Sequence, residues 1–176
     1  NKPYPTFNKR FYDSNDLVVS ISKVTDDIVR NVSPTVDTVY LPHAVDPNIF
    51  KPLTQEEIVS LREKVNIDQE KFVFFWNNRN ARRKQSGSLI FWFKEFLDKV
   101  GHDKAKLIMH TDTRDPAGQD LKAIAANLNL LEGQVQFSEE KIPPEHMSVM
   151  YNIADCTINV ADAEGFGLGT LESLNC

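Results

Sequence analysis

Four cationic side chains lie within six positions directly after the apolar run 72–76: Arg79, Arg82, Arg83 and Lys84. The helical pattern that follows places them at a helix N-terminus, where the helix dipole repels cations by about 0.3 kcal/mol or more each. An anion among these side chains removes the repulsion, and a ligand phosphate is such an anion. The alternative is a solvated basic turn that forms salt bridges with nearby carboxylates.

A glycine-rich turn is the second candidate site. Gly165, Gly167 and Gly169 fall within five positions and are flanked by Glu164 and Glu172. Glycines let a backbone approach a ligand closely, and amides at the start of a helix can bind phosphate. The spacing differs from the G-x-G-x-x-G of dinucleotide-binding folds, and the sequence contains no G-x-x-x-x-G-K-[ST] of P-loop NTPases. Neither class is favoured.

Both loops follow predicted strands. Short apolar strands alternate with helical patterns, the strands at 72–76, 106–109, 135–137 and 156–160 and the helices at 84–100, 117–128, 144–154 and from about Gly167. Strands this short and apolar, separated by helices, are typical of a parallel sheet buried on both faces, which is the α/β class. Ligands of such sheets bind outside the carboxyl ends of the strands, where these two loops lie.

The first third of the chain predicts a strand at 17–22, a helix at 25–32 and a strand at 38–41. A helix at 54–65 follows, with a capping box formed by Thr54 and Glu57. The predicted helix 84–100 has one broad apolar face that we expect to be core, made by Leu89, Ile90, Phe93, Phe96, Leu97 and Val100.

Composition excludes several functions. A net charge of −5 argues against binding nucleic acid or an anionic membrane in bulk, and no apolar run approaches the roughly 20 residues of a spanning helix. The two cysteines, Cys156 and Cys176, are expected to be free thiols in the reducing cytoplasm. The four histidines lack zinc spacing, so no metal is expected, and no G-x-S-x-G nucleophile motif occurs.

Three segments together resemble a known family. Glu164-Gly165-Phe166-Gly167-Leu168 with Glu172 resembles the E-x7-E motif of retaining glycosyltransferases of the GT-B fold, known as glycosyltransferase group 1 or family 4 (GT4). The segment 40–46 with Phe50 resembles the connector into their C-terminal domain, with Ala44 in place of a glycine. Residues 151–155 resemble the segment that precedes E-x7-E.

The resemblance implies a role for each motif residue. Arg79 and Lys84 would hold the donor diphosphate, with Arg83 able to replace either, and the catalytic residues would be Arg79, Lys84 and Glu164. Glu164 would contact hydroxyl groups of the donor sugar and Glu172 those of the ribose, since a carboxylate can accept two hydrogen bonds from a diol. Backbone amides of the turn, which comprises Gly165, Phe166, Gly167 and Leu168, would face phosphate and sugar. A core position is the alternative for Phe166.

Two further strand ends are weaker candidates. The resemblance places the loop 138–142 against the nucleobase, with Ser138, Glu139 and Ile142 as contacts, and the alternative is an ordinary exposed loop. His110-Thr111-Asp112 ends the second strand of the sheet. One interpretation is that these residues line the cleft, and the other is that they are structural polar residues.

The resemblance also implies fold, domains and reaction. We expect a Rossmann-like sheet forming most of the C-terminal domain of a GT-B fold. Residues 1–41 would end the N-terminal acceptor domain, 42–53 would be the connector, and 54–176 would be the donor domain, truncated at its C-terminus. The expected partners are a GDP- or UDP-hexose donor and a glycan or other acceptor held by the missing N-terminal domain.

The expected enzyme is a metal-independent hexosyltransferase without a cofactor, inactive as this fragment alone. Peripheral membrane association stays open for the full-length protein. The alternatives are a GT-B nucleotide-sugar epimerase, a phosphorylase, or a non-catalytic binding or assembly module of the same fold.

Overall fold

The computed structural model describes residues 4–176, which form two compact units, the first ending at Ala44 and the second being Val45–Cys176. The first unit contains α1 (Lys9–Asp13), β1 (Leu17–Ser20), α2 (Lys23–Val32) and β2 (Asp37–Tyr40). β1 and β2 pair in parallel. β1 ends earlier than predicted because Ser22 caps α2, accepting the N–H of Thr25 at 3.1 Å. The sequence did not predict α1, which has no buried residue and no side-chain cap.

The second unit contains a four-stranded parallel sheet with the strand order β5-β4-β3-β6. Its strands are β3 (Phe72–Asn77), β4 (Ala105–His110), β5 (Val135–Ser138) and β6 (Cys156–Thr157). Its helices are α3 (Gln55–Lys64), α4 (Ser86–Val100), α5 (Leu121–Asn127), α6 (Pro144–Ile153) and α7 (Leu168–Leu174).

Helices cover both faces of this sheet. Successive side chains of β3 alternate between two buried clusters, with Trp76 in one and Phe75 in the other. The Trp76 cluster includes residues of α4 and α5, whereas the Phe75 cluster includes residues of α6 and the fully buried Val73. Alternation of this kind is what burial on both faces requires. The predicted α/β class, a parallel sheet with helices on both faces, is confirmed.

Several predicted boundaries were wrong. α4 begins at Ser86 and not at 84, because residues Arg82–Lys84 form a 3₁₀ turn and Gln85 has a left-handed backbone with φ 54°. α5 begins at Leu121 because Asp120 accepts the N–H of Ala123 at 3.0 Å and caps it.

β6 covers two residues in place of the predicted five. It lies at the edge of the sheet, where β3 is its neighbour and pairs with Cys156 and Thr157 alone. Two residues assigned to the core face of α4 are also more exposed than predicted, Phe96 at 39% and Val100 at 44%. The sequence showed the width of the apolar stripe, but not how far the sheet extends beneath it.

Two polar side chains, Arg62 of α3 and Asn152 of α6, connect these helices to neighbouring segments of the second unit. The nearly buried guanidinium of Arg62 donates to Ile153 O at 2.9 Å and to Asp155 Oδ2 at 2.8 Å, and Asp155 Oδ2 also accepts the N–H of Val73 at 2.7 Å. Asn152 accepts the N–H of Leu53 at 2.8 Å.

The capping box of Thr54 and Glu57 is confirmed at the start of α3. Across residues 4–176, no helix has both the length and the apolar character needed to span a membrane.

Candidate functional site

The carboxyl ends of the parallel strands bring the two candidate loops to one edge of the sheet. The last residues of β3, β4 and β5 are in register, so that Asn77 lies beside His110 and His110 beside Ser138. The basic segment leaves β3 at this edge, and the glycine-rich turn connects β6 to α7. Ligands of open parallel sheets bind at such an edge.

Lys84 and Glu164 form the centre of the site. The Lys84 side chain is only 7% exposed, and its ammonium donates to Glu164 Oε1 and, at 2.6 Å, to Asn78 Oδ1. The hydrogen bond from Lys84 is the main cause that lowers the pKa of the Glu164 carboxyl; burial acts in the opposite direction, and the charges of Lys84 and Arg83 lower the pKa further. An ammonium carries three N–H donors. Within residues 4–176 these two acceptors are its hydrogen-bond partners, which leaves one donor for a ligand.

Arg83 joins the same cluster from the solvent side. Its guanidinium lies 3.6 Å from Glu164 Oε2 and donates to Ala163 O at 2.7 Å, while about half of its side chain is exposed. Its backbone O accepts the N–H of Asp162 at 2.8 Å. The basic turn and the acidic loop after β6 are therefore held together by main-chain as well as side-chain contacts.

Arg79 points to a different carboxylate. Its Nε and Nη2 donate to the two oxygens of Asp115 at 2.6 Å and 3.1 Å, and this pairing lowers the pKa of the Asp115 carboxyl. The Arg79 side chain remains 67% exposed. The two cations that the sequence assigned to one diphosphate are thus held by carboxylates on separate loops. The basic segment therefore forms salt bridges with nearby carboxylates, which was the alternative interpretation of its sequence.

Glu172 belongs to a second polar group. The buried Tyr151 donates its O–H to Glu172 Oε2 at 2.7 Å and accepts Nδ2–H of Asn77 at 2.9 Å. Burial is the main cause that raises the pKa of the Tyr151 phenol, so it stays a donor at neutral pH. A Cβ on Gly169 would lie 3.2 Å from the Tyr151 hydroxyl oxygen, which shows how closely α7 packs on this group.

A cavity of about 250 Å³ adjoins this group and is lined by Phe50, Asn77, Ile142, Pro144, Met147 and Glu172. It contains two of the predicted binding residues, Ile142 and Glu172. Its size is below the roughly 300 Å³ at which pockets for drug-sized ligands begin. A cavity of this size can hold one ring system with its hydroxyl groups.

The loop after β5 makes internal contacts. Ser138 Oγ lies 2.8 Å from His110 Nδ1, and burial lowers the pKa of this histidine. Glu139 accepts from Thr113 Oγ1 at 2.6 Å and also pairs with Lys122, and both contacts lower the pKa of its carboxyl. Ser138 thus lies in the row of strand ends, whereas Glu139 is bound by side chains outside the predicted site.

The glycine-rich turn is open at its tip. Apart from Gly165 and its two chain neighbours, no described residue has an atom within 4 Å of a Cβ built on Gly165, and Phe166 and Leu168 are 37% and 43% exposed. Gly167 has φ +88° at the start of α7, a backbone conformation that favours glycine. Phe166 is therefore not a fully buried core residue.

Tyr151, Met147 and Asp115 are among the members of the site that sequence reasoning missed. Tyr151 and Met147 lie four positions apart on α6, and both contact Asn77 of β3. The i, i+4 spacing placed them on one helix face, but nothing in the sequence showed that this face meets the end of β3. Asp115 begins a proline- and glycine-containing loop that gave no sign of its partner. Among residues 4–176, no group of three His, Cys, Asp or Glu side chains is arranged to hold a metal ion.

Several solved structures similar to this chain are GT-B glycosyltransferases. The sucrose-phosphate synthase of Thermosynechococcus elongatus is 21% identical with a TM-score of 0.75, and the match covers 95% of this chain and 40% of that enzyme. A glycosyltransferase of Rickettsia africae is 24% identical with a TM-score of 0.70, covering 96% and 45%. Anabaena HepE, solved in complex with UDP and glucose, is 16% identical with a TM-score of 0.74, covering 98% and 47%.

These similarities show that the chain has the Rossmann-like α/β fold found in GT-B glycosyltransferases. The chain spans less than half the length of each of the three enzymes. No protein-family model and no curated protein sequence matches it.

Proposed function

We propose that this chain is the donor-binding part of a retaining glycosyltransferase of the GT4 type, which moves a hexose from GDP- or UDP-hexose to a glycan or other acceptor. One observation carries the proposal: the buried Lys84 ammonium meets the Glu164 carboxylate at the carboxyl edge of a parallel sheet. A buried cation with a donor to spare suits a phosphate, and a carboxylate beside it suits sugar hydroxyl groups.

The positions of the two glutamates support a division of the donor between them. The segment that bears them contacts the loop after β3 at Arg83 and packs by Gly169 against Asn77 and Tyr151. Glu164 therefore lies with the basic turn, and Glu172 lines the cavity of about 250 Å³. In the proposal the diphosphate binds Lys84 and Arg83, the hexose binds Glu164, and the ribose binds Glu172.

The arrangement would act on the charge that develops during transfer. The leaving diphosphate gains negative charge as the glycosidic bond breaks, and a fixed cation stabilises that charge more than it stabilises the ground state. Lys84 is held in place by Asn78, so it needs little reorganisation. In the proposal, Glu164 binds the sugar hydroxyl groups in place of Lys84. The N–H of Lys84 that donates to Glu164 in this structure then becomes available to the phosphate. The Arg79 side chain is largely exposed, and in the proposal it would bind the same phosphates after leaving its salt bridge with Asp115.

The remaining assignments extend the same proposal. Residues 1–41 would end an acceptor domain, 42–53 would connect, and 54–176 would bind the donor without metal or cofactor. Cys156 and Cys176 are free thiols, which suits a cytoplasmic location. Retention of the anomeric configuration rests on the resemblance of the Glu164–Glu172 motif.

Binding of nucleotides to this chain tests the proposal. Calorimetry in EDTA is expected to show that UDP or GDP binds, and that the matching nucleoside binds more weakly because it lacks the contacts to Lys84 and Arg83. Added Mg²⁺ should leave the affinity unchanged. A transfer assay on the same sample should show no multiple turnover, since positioning of the acceptor contributes about 7 to 11 kcal/mol to such reactions.

The other outcomes separate the alternatives. Absence of any diphosphate-dependent heat would favour a non-catalytic assembly module. Binding that requires a metal would contradict the proposed role of Lys84. Nucleotide-sugar isomerisation, or sugar release to inorganic phosphate, would favour the epimerase or the phosphorylase.

A further inference from the structure

Gln85 has an unusual backbone conformation for its residue type. Three non-glycine residues among those described have positive φ: Asn66 at 55°, Gln85 at 54° and Asn129 at 55°. Asparagine tolerates the left-handed region because its short side chain can bond locally, whereas a longer side chain gains nothing from it. Strain of this kind persists where the surrounding structure enforces it, often at a functional site.

The position of Gln85 links the basic turn to α4. It ends the 3₁₀ turn Arg82–Lys84 and directly precedes Ser86, the first residue of α4. The residues on either side are buried, Lys84 at 5% and Ser86 at 3% exposed. The left-handed backbone at Gln85 is therefore the point at which the chain changes direction between the ammonium-bearing turn and the helix.

The side chain of Gln85 reaches across to the acidic loop after β6. Its Nε2 donates to both oxygens of Asp162 at 2.9 Å and 3.0 Å, and its Oε1 accepts from Ser88 Oγ at 3.0 Å. Asp162 lies two positions before Glu164 and is also bonded through its N–H to Arg83 O. The amide is thus oriented by α4 at one end and holds the loop at the other.

We propose that Gln85 is a positioning residue, which clamps the loop through Asp162 so that the Glu164 carboxylate meets the Lys84 ammonium. A glycine would satisfy the left-handed backbone with less strain, but it would supply no clamp. The effect on donor affinity rests on the proposed function, whereas the effect on Glu164 itself does not. The charged groups that face Glu164 are Lys84, and Arg83 at 3.6 Å.

Variants of Gln85 separate the clamp from the backbone. Gln85→Gly keeps the left-handed turn and removes the side chain, while Gln85→Glu keeps the length and replaces the donor by a carboxylate that repels Asp162. Asn129→Gly is the matched control, since it has the same φ after α5. The primary measurement is the pKa of Glu164 by carboxyl ¹³C NMR, because contact with Lys84 keeps this pKa low.

The clamp predicts a rise in the pKa of Glu164 in Gln85→Gly, a larger rise in Gln85→Glu, and no change in Asn129→Gly. The affinity for the sugar-bearing donor should fall about threefold to tenfold in Gln85→Gly, and the affinity for the bare diphosphate should fall less. The melting temperature of Gln85→Gly should change little, because relief of the left-handed strain offsets the lost hydrogen bonds.

An unchanged pKa of Glu164 in Gln85→Gly would overturn the inference, since this variant removes the side chain without adding a charge. If Gln85→Gly does not fold, Gln85→Glu and Asp162→Asn decide by the same titration. If the wild-type chain binds no nucleotide, the proposed function fails while the titration still tests the clamp. A lower melting temperature with an unmoved Glu164 would show that Gln85 serves stability alone.

Discussion

Replacing Lys84 by alanine is expected to weaken binding of the nucleoside diphosphate tenfold or more and to leave binding of the nucleoside nearly unchanged. Hydrogen bonds to charged groups contribute about 1.5 to 3 kcal/mol, which corresponds to roughly tenfold to 150-fold in affinity. The effect should lie near the upper part of that range, because the Lys84 side chain is 7% exposed and its charge is weakly screened. Calorimetry with the diphosphate and the nucleoside measures both affinities.

The control for Lys84→Ala is Lys94→Ala. Lys94 pairs with Asp98 on the solvent side of α4 and should have no effect on either ligand. Equal losses for nucleoside and diphosphate in Lys84→Ala would refute the assignment of Lys84 to the phosphates.

Lys84→Ala should also change how the free energy of unfolding depends on pH in acid solution. Because Lys84 holds the pKa of Glu164 below its ordinary value, the pair stabilises the native state above that ordinary value, and this contribution is lost as the pH falls through the lowered pKa. Without Lys84, this part of the pH dependence should disappear.

Glu172→Gln is the second substitution with a large expected effect. Glu172 keeps Oε2 for the Tyr151 hydroxyl and lines the cavity, so its other oxygen can accept a ribose hydroxyl. Loss of the charge should weaken the nucleoside and its diphosphate alike, by about tenfold, since charge-assisted hydrogen bonds are roughly twice as strong as neutral ones. Glu164→Gln should instead act mainly on the sugar-bearing donor.

Two comparisons isolate the role of Glu172. Glu95→Gln removes an exposed carboxylate of α4 and should change neither affinity. Tyr151→Phe keeps the ring against Phe75, 5.3 Å between centroids, and should weaken the nucleoside less than Glu172→Gln does. The division of roles fails if Glu164→Gln reduces nucleoside binding more than Glu172→Gln.

The sequence predicted those features that depend on burial along one element. Strands β3 and β4 are apolar on both faces, so their positions followed directly from Phe72 to Trp76 and from the run ending at Met109. The sequence also placed the basic turn and the glycine-rich turn at the carboxyl ends of the strands, because parallel strands end at one edge, but it did not predict the contact between Lys84 and Glu164. In contrast, the partners of Arg79 and Glu172 depend on how a loop folds back and how α6 crosses β3, which no local pattern encodes.

Gln85 shows the same limit at a single residue. The residues around Gln85 favour a continuous helix from Lys84, whereas its backbone is left-handed and its side chain contacts Asp162, 77 positions further along the chain. Local propensity is a weak guide where long-range contacts decide the backbone.

The pairing of β6 with β3 joins strands further apart in sequence than any other pairing in this sheet. It joins segments 82 positions apart, as the bond from Val73 to Asp155 shows, through two paired residues. Closing a loop of that length costs about 0.8 kcal/mol more than closing the roughly 33 residues between β3 and β4. Glu164 and Glu172 therefore follow the strand with the fewest paired residues in the sheet. A nucleotide that bound both Lys84 and Glu172 would act as a non-covalent cross-link across that loop.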